Sequence, residues 1–409
     1  MSPPAPSHRY DGRVVGGLSL AQLVTWGSVF YTFSLLMEPI ERELGLTRAE
    51  SSLAYSLMLG VDGLLAYPVG RWIDRGHERL VITSGSLLIC AGLALHTLVD
   101  GVFSFYAVWM LLGAGLAASA YNPVFAVVTR RYPQDFRRAI ITLTFLGGLA
   151  STVFIPLTAW LVQALGWRAA LGVIAVLPLV VCVPLHLHLL RGAPAPTAAG
   201  PASHVHRQEE AAERRRLMRG TPYRLVAFFI VVMMGVSAAL PAHMVSLLRE
   251  SGLPPAWVVL VPASIGVIQV AGRFLLFVTE HRSDPHVANL VIPLLVPMGL
   301  LVLLASGQNV GLALVFVLLF GLGNGMITIV KGTAVAQYVS PTQVGALNGA
   351  MGVPIAVARA SAPWLMGLAW TPETGYAAGL WGMVIVSLAA TLAMWAAQRV
   401  SRAQARAQA

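Results

Sequence analysis

Four ionisable side chains sit in sequence that is otherwise apolar for about twenty residues: Asp62, Arg273, Lys331 and Arg359. A guanidinium can grip a carboxylate through two parallel hydrogen bonds. A lysine ammonium is a compact charge that responds to its surroundings. Each such group costs roughly 2.5–3.5 kcal/mol to place at the centre of a bilayer on insertion scales, so it is expected to face a polar cavity and mark a substrate or ion path. Three cations against one acid describe a cavity suited to an anion. Arg359, nearest mid-span, is the leading ligand candidate. Arg273 and Lys331 join it, with snorkelling to headgroups the alternative for both and a structural ion pair a further one for Lys331. Asp62 is the proton-coupling candidate; pairing with Lys331 or Arg359 is its other reading.

The elements that must hold these groups are membrane helices. The chain is 57% hydrophobic and 11% charged, with mean hydropathy +0.73, whereas soluble domains carry about 25% charged residues. Stretches of about 20 apolar residues number twelve, at approximately 14–37, 51–70, 80–99, 102–128, 138–163, 168–190, 222–248, 256–279, 287–306, 309–337, 343–369 and 375–398. Their length and lack of alternation imply helices rather than barrel strands. Residues 1–13 are polar and proline-rich and do not read as a cleavable leader. Cys90 and Cys182 both fall within spans and read as core residues, so no structural disulfide is expected.

Lys331 is the one lysine among 27 lysines and arginines. The arginines gather in alternate loops: Arg9, Arg13, Arg71, Arg75, Arg79, Arg130, Arg131, Arg137, Arg138, Arg191, the 207–224 cluster, Arg282 and the C-terminal group. The opposite loops hold Arg42, Arg48, Arg168 and Arg249. This asymmetry predicts both termini on the cytoplasmic side. The net charge of +10 is then a topology signal, and nucleic acid is not an expected partner.

Residues 191–221 interrupt the hydrophobic rhythm, first Ala/Pro-rich and then charged. They read as a cytoplasmic linker ending in a short surface helix, either solvated or resting on anionic lipid headgroups. The expected organisation is a six-helix half at 1–190, the linker at 191–221, a second six-helix half at 222–398 and a tail at 399–409. Such a layout places a binding site near the midplane between repeats in many secondary transporters. Asn122-Pro123 and Pro156 are expected to bend spans 4 and 5.

The segment GRWIDRGHERL after span 2 resembles the loop signature of the major facilitator superfamily. Gly70, Asp74, Arg75 and Arg79 match; His77 and Glu78 depart from it. Gly-Trp-Arg at 166–168 is another recurrent feature. The resemblance implies an all-α membrane fold of twelve helices in two halves. It also implies a gating loop in which Asp74 approaches the start of span 11 and arginines such as Arg130 or Arg131 when the cytoplasmic side is shut. Neutral cavity candidates, from the helices that line the pathway in this fold, are Gln22, Tyr31, Tyr121, Asn122, His243 and Asn324.

Within the superfamily the chain is similar to the monocarboxylate transporters and the oxalate/formate exchangers. Asp11-Gly12 ahead of span 1 and the run GSVFYTFSLLMEPIERELG carry the likeness. Arg273 fits the arginine this group places in span 8, and Arg359 stands where the oxalate/formate type has a lysine in span 11. Gln269 replaces the acid that the monocarboxylate type places four residues before the span 8 arginine, which removes support for proton coupling through that pair. The drug/proton antiporter signatures are absent: Trp109 stands four residues before Gly113, and Pro156 is well separated from Gly147-Gly148.

The expected function is a secondary transporter that moves a small monocarboxylate-like anion, by proton coupling or exchange, in a bacterial cytoplasmic membrane. A drug or metabolite efflux antiporter and a non-transporting sensor on the same fold are the alternatives. No cofactor and no metal is expected. Partners are the anion, protons and membrane lipids, and the expected state is a monomer. No P-loop, metal-ligand cluster or nucleophile motif supports an enzyme or an ATP-driven pump.

Overall fold

The computed structural model describes residues 10–192, 204–279 and 284–408. The expectations for Arg9, for Arg282 and for the Ala/Pro-rich part of the linker fall outside the described residues. Eleven helices among the described residues are long and apolar enough to cross a bilayer. The first six are α1 (Gly12–Leu44), α2 (Arg48–Asp74), α3 (Glu78–Leu98), α4 (Val102–Arg131), α5 (Phe136–Leu165) and α6 (Trp167–Leu189). A linker helix, His204–Arg219, precedes α7 (Thr221–Glu250), α8 (Pro255–Thr279), α9 (Pro285–Ser306) and α10 (Val310–Tyr338). The expected span 11, α11, comes as two rods, Val344–Ala350 and Gly352–Leu368, that meet at Met351. The final helix is α12 (Ala377–Gln408).

Local chemistry fixes the helix ends. Thr47 and Glu50 form a reciprocal cap at α2: the Thr47 hydroxyl accepts from the Glu50 amide at 3.2 Å, and Glu50 Oε2 accepts from the Thr47 amide at 2.8 Å. Such a box satisfies two amides the first turn leaves without helical partners. Asp11, Asp284 and Asn309 accept from backbone amides at the starts of α1, α9 and α10. Gly45, at φ 66°, closes α1 in the left-handed region that glycine tolerates.

The expected proline bends are displaced. In α4 the helix breaks at Ala120, so Pro123 lies in the first turn of the following rod, where its missing N–H costs no helical bond. In α5 the break falls at Leu149, directly after Gly147-Gly148, while Pro156 sits inside the continuous rod Ala150–Leu165. Two helices also widen to π-helical turns, α1 over Gly27–Tyr31 and α6 over Pro178–Cys182.

The chain forms two compact units. The first comprises Met1–Thr197 with Pro241–Ser246 and Pro262–Val267; the second comprises Ala198–Leu240, Leu247–Val261 and Ile268–Ala409. Short segments of α7 and α8 thus belong with the first unit. Within the first unit, α2 and α4 approach so closely at Gly113 that a side chain there would collide with the Met58 carbonyl. Val15, Leu18, Ile73, Ile82, Val124 and Leu143, all buried, belong to one core cluster at the arginine-rich end of the helices. Within the second unit, Gly325 lets α10 approach the backbone of α8 at Gln269.

Candidate functional site

Helices α8, α10 and α11 carry the cations of the second unit. Lys331 and Arg359 are near enough for their like charges to repel each other, and both are half-buried. Among the described residues Lys331 takes part in no ion pair with a carboxylate. Bringing two cations together inside an apolar bundle is costly, and an anion between them relieves that cost. Alongside, Gly235 of α7 packs on the Ala358 carbonyl, one residue before Arg359.

Arg273 is half-buried on α8 and donates from Nε to the Gly325 carbonyl of α10 at 3.3 Å. That bond sits where Gly325 brings the two helices together, so Arg273 ties α8 to α10. Asn324, the preceding residue on α10, accepts a 2.5 Å hydrogen bond from Ser237 Oγ of α7. Ser237 was not among the sequence candidates: a lone serine in an apolar span gives no signal of its partner.

In the first unit the neutral candidates separate. Gln22 is fully buried, and its amide nitrogen donates to the Ser119 carbonyl of α4 at 2.7 Å. This corrects the expectation that Gln22 faces the cavity: its donor pins α1 to α4, although Oε1 is left without a hydrogen-bond partner. Tyr121 is half-buried, 4.9 Å from the Trp26 ring and stacked at 5.2 Å on Phe125. Trp26 was missed because tryptophan is common in membrane helices. Tyr31 ends the π-helical turn of α1 and is half-buried, and Asn122 is exposed. Asp62 is half-buried midway along α2. His243 is fully buried.

The loop after α2 brings its charges together as follows. Asp74, Arg75 and Arg79 are exposed and Gly70 is half-buried. Arg130 and Arg131 turn to Glu78, not to Asp74. Arg131 lies 2.5 Å from Glu78 Oε1, and Arg130 lies 3.6 Å from Oε2. Glu78 is fully buried at the start of α3. Arg130 also donates to the Ile73 carbonyl, and Arg131 to the carbonyls of Leu189 and Arg191, at 3.4 and 3.2 Å. One carboxylate therefore organises the arginine-rich ends of α2, α3, α4 and α6. The residue that departs from the loop signature is the one that pairs: Glu78 stands on the first turn of α3, where a carboxylate also meets the positive end of the helix dipole.

Among the described residues no group of three or more His, Cys, Asp or Glu side chains could hold a metal ion.

Known proteins resemble the chain in sequence and in fold. A stretch of 143 residues, 35% of this chain, is 27% identical to the oxalate:formate antiporter of Oxalobacter formigenes. Another of 212 residues, 50% of this chain, is 26% identical to monocarboxylate transporter 13 of Bos taurus. The matches span only 34% and 47% of those relatives' own lengths. The nucleoside transporter NupG superposes with a TM-score of 0.72 at 14% identity, over 94% of this chain and 98% of its own. A bacterial homologue of the human lysosomal transporter Spinster, inward-facing and unoccupied, gives 0.68 at 15% identity over 96% and 98%. At such identities these structures attest the fold alone. The profile of the Major Facilitator Superfamily matches residues 18–363; with eleven helices among the described residues long and apolar enough to cross a bilayer, the chain belongs to this superfamily and is a multi-pass integral membrane protein.

Proposed function

We propose that this transporter carries a small organic anion, monocarboxylate-like in size, by alternating access, with proton coupling or exchange as the driving step. One observation carries the reading: Lys331 and Arg359, both half-buried within the second unit, lie within range of each other's charge. A carboxylate there replaces mutual repulsion by two charge-assisted hydrogen bonds. A cationic substrate would meet the same pair as a barrier. The names of the two relatives, an oxalate:formate antiporter and a monocarboxylate transporter, lend support over the stretches they share. Arg273 contributes through α8, Asp62 is the proton carrier, and the loop from Gly70 to Arg79 with Arg130 and Arg131 belongs to the gate. The arginine asymmetry supports cytoplasmic termini, in a bacterial inner membrane.

The test is a thermal-shift panel of carboxylates, amines and sugars on the purified protein, followed by flux in liposomes. Stabilisation by carboxylates and uptake of the same compounds are expected. Stabilisation by amines or lipophilic cations alone would replace this reading with efflux.

A further inference from the structure

Ser237 Oγ donates to Asn324 Oδ1 at 2.5 Å, across α7 and α10. The bond decides which end of the amide faces the serine. The carbonyl oxygen is engaged, and Nδ2 with its two N–H donors is turned away. Among the described residues no acceptor meets Nδ2. Asn324 is half-buried, so these donors are left open to whatever occupies the space beside α10.

Asn324 and Lys331 are seven residues apart in the unbroken helix α10. They therefore share a face, two turns and about 10.5 Å apart at Cα. Thr328 occupies the turn between them, with its hydroxyl spent on the Gly325 carbonyl at 2.8 Å. The three form a polar stripe along a helix whose other residues are nearly all apolar. Its two ends differ: Lys331, within range of the Arg359 charge, supplies charge, and Asn324 supplies neutral donors. Side chains on a helix lean toward its N-terminus; both do so here, and the longer Lys331 stem can carry its ammonium further that way than Asn324 carries its amide, which leaves a gap of the order a short carbon chain spans.

We infer that Asn324, aimed by Ser237, is a specificity-determining residue, and that the transported anion carries a carboxylate at one end and an oxygen acceptor at the other. The carboxylate rests on Lys331 and Arg359; the far oxygen, a hydroxyl or a second carboxylate, accepts from Asn324 Nδ2. This rests on the organic-anion reading above and adds the length and the second polar end of the substrate. A site built to bond a substrate oxygen rejects the analogue that lacks it, because its own donor is then left desolvated and unpaired. Ser237 is the positioning residue, since without its hydroxyl the amide can rotate and present its carbonyl to the substrate.

Three four-carbon probes test this on the full-length protein in lipid nanodiscs: butanoate, 4-hydroxybutanoate and butanedioate, titrated by calorimetry. The parent is expected to bind the two oxygen-terminated probes about tenfold or more tighter than butanoate. Ser237→Ala should bring the ratio of butanedioate to butanoate close to one, while 4-hydroxybutanoate, whose hydroxyl can also donate to a rotated amide carbonyl, keeps part of its advantage. Ser237→Thr, which keeps the hydroxyl, should retain the ratio, and Asn324→Leu should abolish it. Equal affinity of the parent for all three probes overturns the inference and leaves the organic-anion reading standing. So does a Ser237→Ala variant that loses all three alike without rescue by Ser237→Thr, which marks a packing role. A parent that binds none of these probes and no other carboxylate overturns the organic-anion reading, and this inference with it.

Discussion

Arg131 and Glu78, 53 positions apart in sequence, meet at 2.5 Å where Glu78 is wholly shielded from solvent. Arg130 adds a second positive charge at 3.6 Å from the other carboxylate oxygen. A buried pair is a poor source of net stability, but breaking one by removing a partner costs about 3–5 kcal/mol, because the survivor remains desolvated. Glu78→Gln is therefore expected to lower the melting temperature markedly, read by far-UV circular dichroism in detergent. Glu78→Leu combined with Arg131→Met should recover much of that loss. A Glu78→Gln protein that melts with the parent would show that the arginines find other partners.

Arg359→Gln is expected to weaken anion binding while the protein still folds. A hydrogen bond to a charged group is worth roughly 1.5–3 kcal/mol, so affinity should fall about 10- to 150-fold. Arg359→Lys should keep part of it, since the charge stays and the two-pronged geometry goes. Titration with the best carboxylate of the panel measures both. Unchanged affinity in Arg359→Gln would remove Arg359 from the site.

Two glycines of α10 should respond oppositely to one added methyl group. At Gly325 a Cβ would stand 2.5 Å from the Gln269 carbonyl; at Gly332 nothing lies within 4 Å. Gly325→Ala must push α8 and α10 apart, an overpacking cost of about 1–3 kcal/mol, and should loosen the Arg273 bond to the Gly325 carbonyl. Gly332→Ala should be neutral or stabilising, since alanine is favoured over glycine in a helix by roughly 1 kcal/mol. Thermal unfolding of the two variants side by side decides the matter. Similar melting of both would mean that the close approach at Gly325 relaxes freely.

Asp62→Asn separates coupling from structure. If Asp62 carries the coupling proton, the neutral variant should still exchange substrate between liposome compartments at equal pH. It should lose accumulation driven by a pH gradient, because no protonation step then links flux to the gradient. A structural role as partner to a buried cation predicts poor expression and a lowered melting temperature instead. A stable variant that still accumulates substrate would exclude both roles.

The membrane helices were legible because a run of about twenty apolar residues has few other uses. Interior charges were legible for the same reason: Lys331 and Arg359 stand out against their surroundings, although their proximity could not be read from positions 28 apart on two different helices. The bends were read less well. Proline marks where a backbone bond is missing, but Pro123 and Pro156 are accommodated, and the breaks fall upstream, at Ala120 and Leu149. Gln22 shows a second limit. A polar residue in an apolar helix suits a cavity or a neighbouring carbonyl equally well, and only the packing of α1 on α4 chooses. Glu78 was hidden by the motif itself, since the loop signature drew attention to Asp74.

The two-rod form of α11 bears on how the chain is made. Gly352–Leu368 has 17 residues, about 25 Å of helix, short of a hydrocarbon layer of about 30 Å. It also carries Arg359, and a guanidinium opposes release from the insertion machinery into lipid. The preceding rod, Val344–Ala350, is too short to cross alone. Neither rod is a competent insertion unit in its own right. The expected consequence is that α11 leaves the translocation channel together with α10 and α12, not by itself. Arg359 then enters the bilayer covered by neighbouring protein, without having faced hydrocarbon.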